Sequence, residues 1–347
     1  SFDEGGKKGL ASLSSTAKPK AQKKLEALYK EYLKYCEIIK KFKKLKIAII
    51  DYDYLCPKTL ILALEKNNIK CVATQERFIG PFYKSYCNVI LDTYYAASAN
   101  IVNIIKESKY NDIKNIIPVG QYRGDYISFY KQQTVPKEIS EAKKNGKKIL
   151  IVFGYNSPKN WFESNITAGA NWSAQINFLE DIIKLSRNLK NTFIVLRYKT
   201  LEWIENKYFN KIFDQIKCEE NVILSDNYNE FSYAYRLCAN ADLVIAKHTS
   251  IADECLSKGI PVLFHEYTHN MRELKLNIPN NYLPAELLCH NFDDLFNKCK
   301  SILFSNTSKL MYTVQELNKN IYYVNEKKDV KKKILDDIEN RLIANNV

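Results

Sequence analysis

The chain has few glycines and prolines for its length, with 10 glycines and 9 prolines in 347 residues. A collagen-like or low-complexity chain would be rich in one or both of them. Hydrophobic residues make up 46% of the sequence and aromatic residues 12%. The composition therefore excludes disorder over most of the length. The length itself predicts two domains with separate cores.

Long apolar runs and paired cysteine motifs are also absent. The longest runs, at 47–50, 148–153 and 192–196, are far shorter than the roughly 18 residues of a membrane-spanning helix. We therefore predict that this is not an integral membrane protein. The nine cysteines include no Cys-x-x-Cys pair, and their number is odd. These features predict reduced thiols in the core of a cytoplasmic protein, not a disulfide framework or a zinc site.

Positive charge is in excess, with a net charge of +13. Lysine is frequent throughout, so we assign much of this charge to solvated surface. One concentration stands apart, at 18–46, where lysines lie between apolar residues at helical spacing. This predicts a long, basic, amphipathic helix. Two interpretations remain open: a surface that meets anionic lipid or a polyanionic acceptor, or an ordinary helix whose apolar stripe packs on a domain core.

Short β-branched runs alternate with helical patterns along most of the chain. The first series predicts strands at 46–51, 70–74, 89–92 and 115–119, with helices at 59–67 and 96–108. The second series predicts strands at 148–153, 191–196, 221–224, 242–246 and 261–264, with helices at 172–189, 231–240 and 251–258. Continuous Ile and Val runs joined through helices are typical of buried parallel sheets. The fold class predicted is α/β, with two Rossmann-like layers facing a cleft, and ligands of such sheets bind at the carboxyl ends of the strands.

The same pattern predicts the domain boundaries. An N-terminal domain at 1–135 includes the basic helix, a charged loop at 131–148 follows it, a second domain covers 146–305, and C-terminal helices cover 306–347. The first series has only about four strands, and the opening residues look like the junction of a strand with a loop. We therefore expect the first domain to be incomplete and the native chain to extend further at its N-terminus.

The segment 241–270 is the most informative part of the sequence. A predicted strand ends at 246, and a polar loop leads straight into a helix through Lys247, His248, Thr249 and Ser250. A helix N-terminus offers unpaired N–H groups and partial positive charge, so hydroxyls and a cation beside it suit a phosphate. Glu254 lies one turn further on the same face, where its carboxylate can accept hydrogen bonds from a ribose diol. The alternative is that Thr249 or Ser250 only caps the helix and Glu254 is a solvated charge; the pattern leaves both open.

This segment resembles a known arrangement. A strand, a hydroxyl-rich loop, a helix carrying Glu, then Gly259-x-Pro261 and an apolar strand is similar to the donor-binding half of glycosyltransferases with the GT-B architecture. It is also similar to related sugar-nucleotide epimerases and to the glycerophosphotransferases that build teichoic-acid-like polymers. The resemblance covers about 146–300. It implies a GT-B-like fold, in which Thr249 and Ser250 hold the donor phosphates and Glu254 holds the ribose.

Other polar residues follow predicted strands of the second domain. Gly154, with Asn156 and Ser157, allows close approach of a ligand at the domain junction. Arg197 and Lys199 offer cations to a phosphate or a sugar carboxylate. The alternative for each loop is a surface loop whose cations form salt bridges.

A dense polar loop is predicted after the last strand of that segment. His265 begins this loop and is expected to contact donor or acceptor in the cleft. His265 and His269 have the spacing of a metal-binding pair on a helix, but a third ligand is not evident and the segment is predicted to be a loop, so no metal is predicted.

The first domain supplies the candidate general bases. Asp3 and Glu4, followed by glycine, resemble an acidic motif of bacterial sialyltransferases whose first carboxylate is proposed to deprotonate the acceptor hydroxyl. Those families also carry a His-Pro pair, which this sequence lacks, and this puts a CMP-sialic acid donor in doubt. Glu76 is an alternative base, and Arg77 and Arg123 are candidates for contact with an anionic acceptor. Structural salt bridges are the alternative role for these three.

With these patterns, the resemblance implies a bacterial, cytoplasmic, metal-independent glycosyltransferase. It would move a sugar from a nucleotide-sugar donor to a cell-surface polysaccharide or lipopolysaccharide, with a glycan or lipid-linked glycan as acceptor. No cofactor is expected beyond this co-substrate, and contact of the basic helix with the inner face of an anionic membrane is one of its two open interpretations. The alternatives are a polyol-phosphate transferase of the CDP-glycerol type, a CMP-sugar transferase, an inactive scaffold of the same fold, and a module that binds RNA or another polyanion. No RNA-binding signature supports the last, and we expect no nucleic acid partner.

Overall fold

The computed structural model of the protein describes most of the chain. The described residues are 14–15, 17–51, 56–75, 89–108, 111–154, 172–226, 230, 232–247, 249–265, 285–305, 313, 316 and 329–344.

The first unit is built on four parallel strands. They are β1 (Ile47–Ile50), β2 (Lys70–Thr74), β3 (Ile90–Ala96) and β4 (Asp112–Pro118), hydrogen-bonded in that order. Among the described residues of this part, four helices accompany the sheet: α1 (Lys18–Ile39), α2 (Lys58–Lys66), α3 (Ala99–Glu107) and α4 (Gly124–Tyr130). Helix α3 begins after Ser98 because the Ser98 side chain accepts a hydrogen bond from the Ile101 N–H and so caps the helix.

The second unit contains a six-stranded parallel sheet. Its strands are β5 (Lys148–Phe153), β6 (Thr192–Arg197), β7 (Val222–Ser225), β8 (Leu243–Ala246), β9 (Val262–His265) and β10 (Leu288–Cys289). The spatial order is β10-β9-β8-β5-β6-β7. Counted within this unit, this is the 3-2-1-4-5-6 order of the Rossmann fold, whose switch point lies between its first and fourth strands, here β5 and β8.

The central strands of this sheet are apolar because both faces of the sheet are buried there. The four central residues of β5, 149–152, are each 0% exposed, and so is every residue of β8 from Leu243 to Ala246. Helices cover such strands on both faces, so no polar side is needed. The helices of this unit are α6 (Trp172–Asn188), α7 (Asn210–Lys217), α8 (Tyr233–Cys238), α9 (Ser250–Ser257) and α10 (Phe292–Phe304).

The chain finally returns to the first sheet. Helix α11 (Val330–Ala344) buries Ile334 and Ile338 against residues of β2 and β3. The Tyr95 hydroxyl of β3 donates a hydrogen bond to Asp337 of α11 at 2.7 Å. The C-terminal helix is therefore part of the first core.

One predicted loop is wrong. The stretch 131–148 contains a further helix, α5 (Lys137–Lys144), which begins just after Pro136 and buries Ile139 and Ala142 in the core. Two apolar residues three positions apart are enough to seat a two-turn helix, although its surroundings are rich in charge. The basic helix predicted at 18–46 is also shorter than expected, because α1 ends at Ile39.

Two sequence-based expectations meet the structure directly. Eight cysteines lie in the described part; all are free thiols, and seven are buried while Cys218 is exposed. Within the same residues, no helix has the combined length and hydropathy that crossing a bilayer requires.

Candidate functional site

The carboxyl edge of the first sheet meets α9 of the second unit. Helix α4 follows β4 and begins at Gly124, and a Cβ added there would lie 2.4 Å from the Ser257 hydroxyl oxygen and 3.2 Å from the Glu254 carbonyl oxygen. Asp125, the next residue, forms an ion pair with Lys258. A glycine at 124 is therefore what allows the two units to pack this closely.

The N-terminus of α9 lies at the switch point of the second sheet. The helix begins at Ser250, four residues after β8 ends, and Thr249 precedes it in extended conformation with φ −151° and ψ 136°. No side chain of the described residues caps this end, and Thr249 and Ser250 are both partly exposed. The first N–H groups of an α-helix have no partner within the helix, so this end is suited to bind an anion.

Glu254 is buried in the middle of α9, only 1% exposed. Tyr235 of α8 forms a hydrogen bond with it, and burial together with the Glu254 charge raises the pKa of Tyr235 well above its usual range. The negative charge of Glu254 also acts on the Arg123 guanidinium of the first unit. Glu254 is thus not a solvated charge, and the ribose contact predicted for it stays a prediction.

Arg123 belongs to a polar cluster at the carboxyl edge of the first sheet. Its Nε donates to the Tyr122 hydroxyl at 2.9 Å, and its Nη2 lies 3.3 Å from the Asp51 carboxylate, to which the Tyr122 hydroxyl also donates. Burial lowers the pKa of Arg123, but Tyr122, Asp51 and Glu254 outweigh it, so the net change is upward. Burial and the bond to Asp51 raise the pKa of Tyr122 to about 12. The arginine therefore stays charged beside the domain junction.

The sequence reasoning missed Asp51, Tyr122 and Tyr235 as members of this site. Asp51 could have been found from the sequence, because it directly follows the apolar strand β1. The loop residues that are predicted as site residues follow strands in the same way. Tyr235 lies within a helix and carries no such signal.

His265 is wrongly placed by the sequence prediction. It is the last residue of β9, not part of a loop, and it is 1% exposed. Its Nε2 lies 3.2 Å from the Asp181 carboxylate of α6, and its ring packs edge-on against Phe178. Burial lowers the pKa of His265, and the nearby charge of Lys247 acts in the same direction while Asp181 opposes it. Strand β9 therefore extends one residue beyond its apolar run and ends on a buried histidine.

The other predicted donor-side residues lie at the ends of β5, β6 and β8. Lys247 is 1% exposed at the end of β8. Arg197 is 8% exposed and donates to the Ser225 carbonyl oxygen at 3.4 Å, which links β6 to β7, and burial lowers its pKa. Lys199 is exposed. Gly154 follows β5, and a Cβ there would meet the ring of Tyr198 at 2.3 Å.

Several predicted site residues fall outside the described part of the chain. They are Asp3, Glu4, Glu76, Arg77, Asn156, Ser157 and His248. Among the residues that are described, no three His, Cys, Asp or Glu side chains form a group that could hold a metal ion.

Comparison with known proteins identifies the fold. No protein-family model matches this sequence, and no curated protein matches it. Solved structures do match. A putative UDP-N-acetylglucosamine 2-epimerase from Listeria monocytogenes is 16% identical with a TM-score of 0.61, and the match covers 91% of this chain and 79% of that one. The structure of S. aureus MnaA with UDP is 14% identical with a TM-score of 0.58, over 91% and 79% of the two chains.

A third match is the wall teichoic acid polymerase TagF. It is 15% identical with a TM-score of 0.52, and the match covers 80% of this chain and 70% of that one. At these identities the likeness establishes architecture. The chain has the α/β fold of GT-B type, with two parallel sheets, and the fold predicted from the sequence is confirmed.

Proposed function

We propose that the protein is a metal-independent glycosyltransferase that takes its sugar from a nucleotide donor and passes it to a bacterial surface glycan. The observation that carries this proposal is the N-terminus of α9. It is uncapped by any described side chain, partly exposed, and located at the switch point of a Rossmann-type sheet. Ligands of such sheets bind at that point.

The chemistry follows from the charge at this helix end. Donor phosphates seated at Thr249 and Ser250 would accept hydrogen bonds from the first N–H groups of α9. When the glycosidic bond to the nucleotide breaks, negative charge grows on the leaving phosphate, and fixed N–H dipoles stabilise it without reorganising. A carboxylate of the first domain, with Asp3, Glu4 and Glu76 as candidates, would accept the proton of the acceptor hydroxyl.

Replacing Ser250 by Asp tests this seat. A carboxylate in the first turn of a helix stabilises it by about 0.3–1 kcal/mol, so the thermal midpoint of the ligand-free protein should stay or rise. The same charge would repel a phosphate. A wild-type protein at 100 times the Kd of a nucleotide gains about 2.7 kcal/mol, and we expect Ser250→Asp to lose that gain in a screen of UDP, CDP, CMP and GDP.

Asn210→Asp is the matched control. Asn210 is the first residue of α7, is exposed, and has no proposed role, so the variant adds the same charge at the same helix position. It should keep the full nucleotide response. A nucleotide that stabilises Ser250→Asp as strongly as the wild type would contradict the proposed seat.

A polyol-phosphate transferase is the second candidate, supported by the structural likeness to a teichoic acid polymerase. Both reactions would use the same phosphate seat, but they break different bonds. Glycosyl transfer from a UDP-sugar releases UDP, whereas transfer of a polyol phosphate from a CDP-polyol releases CMP. Chromatography of the released nucleotide, with each donor and an acceptor glycan preparation, separates the two.

We also propose that α1 and the turn after it contact an anionic membrane. Leu28, Leu33 and Ile38 are 39–43% exposed on α1, and Phe42 just beyond it is 58% exposed. Eleven exposed lysines lie along the same segment, at 18, 20, 23, 24, 30, 34, 40, 41, 43, 44 and 46. The helix also packs on the core through Cys36 and Ile39, so both interpretations of the sequence hold in part. Apolar side chains set among lysines match the boundary between anionic headgroups and acyl chains.

A further inference from the structure

Gln121 is a buried side chain whose amide has no partner in the described part of the structure. It lies just beyond β4 and is 1% exposed, and neither its Oε1 nor its Nε2 has a hydrogen-bond partner there. Gly120 before it has φ +103°, a conformation that favours glycine and turns the chain at this point. A buried polar group without a partner is costly, and an apolar residue of the same length would be cheaper.

Gln75 at the end of β2 shows the contrast. It is also 1% exposed, but its Oε1 accepts a hydrogen bond from the Ala97 N–H at 2.7 Å. Gln75 thus joins the ends of two strands and has a structural role. Nothing comparable is seen for Gln121, whose main-chain carbonyl accepts from the Gly124 N–H while its side chain has no such bond.

The chemistry of the amide defines the ligand it suits. An amide offers two N–H donors and one carbonyl acceptor. A phosphate or carboxylate would use only the donors, and a cation would use only the acceptor. A neutral hydroxyl both donates and accepts, so it satisfies both ends of the side chain.

The position of Gln121 indicates which hydroxyl this is. Three residues later, Gly124 packs against the backbone of α9, the helix that carries the proposed phosphate seat. The proposed function would place a group attached to the last phosphate between α9 and this edge of the first sheet. Resting on the proposed function, we propose that Gln121 binds a neutral hydroxyl of the sugar or polyol that the nucleotide carries.

The test follows the Gln121 side chain itself. Protein labelled with ¹⁵N at glutamine side chains gives amide signals that the variants Gln121→Met and Gln75→Met assign by loss. The probes are UDP, CDP, UDP-glucose, UDP-N-acetylglucosamine and CDP-glycerol, and also free glucose and glycerol at high concentration. We expect at least one sugar- or polyol-bearing probe to shift the Gln121 signal, while bare UDP and CDP do not and the Gln75 signal stays in place.

Unfolding temperature and ligand affinity are the two further measurements of this test. Gln121→Met should unfold at the wild-type temperature or above, and Gln75→Met should unfold below it. The affinity gained by the sugar or polyol over the bare nucleotide should fall about five- to tenfold in Gln121→Met. A Gln121 signal that no probe moves, or a lowered unfolding temperature for Gln121→Met, overturns the proposal. If free sugar moves the signal but no nucleotide binds, the proposed function fails and this subsite stands.

Discussion

A substitution at Gly154 can decide whether a glycine is needed at this position for core packing or for ligand binding. The sequence suggests that this glycine lets a ligand approach, but the structure puts the ring of Tyr198 against it. A Cβ at 154 would lie 2.3, 2.5 and 2.6 Å from three ring carbons of Tyr198. Real Cβ contacts are essentially never shorter than 3.0 Å, so the closest ring carbon would have to retreat by about 0.7 Å. Tyr198 is 1% exposed and has little room to do so.

The expected cost of Gly154→Ala is therefore that of overpacking a core, about 1–3 kcal/mol of unfolding free energy. Urea unfolding of the variant measures it. The carbons in the way are ring carbons, so Tyr198→Phe should give no relief, and Gly154→Ala should cost as much in that background. Tyr198→Leu removes the ring, and in that background the same change should cost less than about 0.5 kcal/mol.

Gly146→Ala serves as a second control. Nothing lies within 4 Å of a Cβ at that position, but the backbone has φ +71°, so its cost of about 1 kcal/mol should be independent of residue 198. If Gly154→Ala is as stable as the wild type and loses only its nucleotide response, the packing argument is wrong and the glycine serves the ligand.

Two other perturbations test separate parts of the molecule. Because burial lowers the pKa of His265, the unfolded chain takes up more protons below about pH 6.5. The wild type should therefore lose more stability than His265→Gln between pH 7.5 and pH 5.5 in urea unfolding, and an equal loss in both would contradict this. Vesicles containing phosphatidylglycerol should co-sediment the protein, less so at high salt and less so for Leu28→Ser with Leu33→Ser. The control Phe304→Ser, also at an exposed position (44%), should bind as the wild type does, and binding to neutral vesicles at the same level would refute the electrostatic part.

The strands could be predicted well because the strands of a parallel sheet that is buried on both faces have continuous apolar sequences. The predicted bounds 70–74 and 148–153 are those of β2 and β5. Helix α5 was not predicted because its eight residues include only two buried apolar positions among charges. Helix α11 shows a different limit. Its sequence predicts a polar helix, but only the tertiary structure places Ile334 and Ile338 on the first sheet.

Some parts of the candidate site could be predicted from the sequence, and others depend on the tertiary structure. The position of the start of α9 could be predicted from adjacent residues, because a strand, a loop and a helix in sequence fix where Thr249 and Ser250 must lie. The sequence left open whether one of them caps the helix, and only the structure shows that neither side chain does. The cluster beside it could not be predicted. Arg123, Tyr235 and Glu254 come from three helices or loops more than a hundred residues apart at the widest, and no spacing rule connects them. His265 was misplaced by a single residue, which was enough to move it from the predicted cleft into the core.

The roles predicted for Arg123 and Glu254 are linked by their charges. The carboxylate is 1% exposed, bonded to Tyr235, and within the electrostatic reach of the guanidinium. Separating buried charges of opposite sign without replacement is strongly unfavourable. A ribose can therefore engage Glu254 only if its hydroxyls replace the bonds that the carboxylate gives up. Once a ribose engages Glu254, Arg123 would still have its ion pair with Asp51 at 3.3 Å. An anionic group of the ligand beside Arg123 would then compensate for its weaker interaction with Glu254. A ligand with a ribose diol and an anionic group would satisfy both side chains together, whereas a neutral sugar alone would engage only Glu254 and leave Arg123 without a second anion.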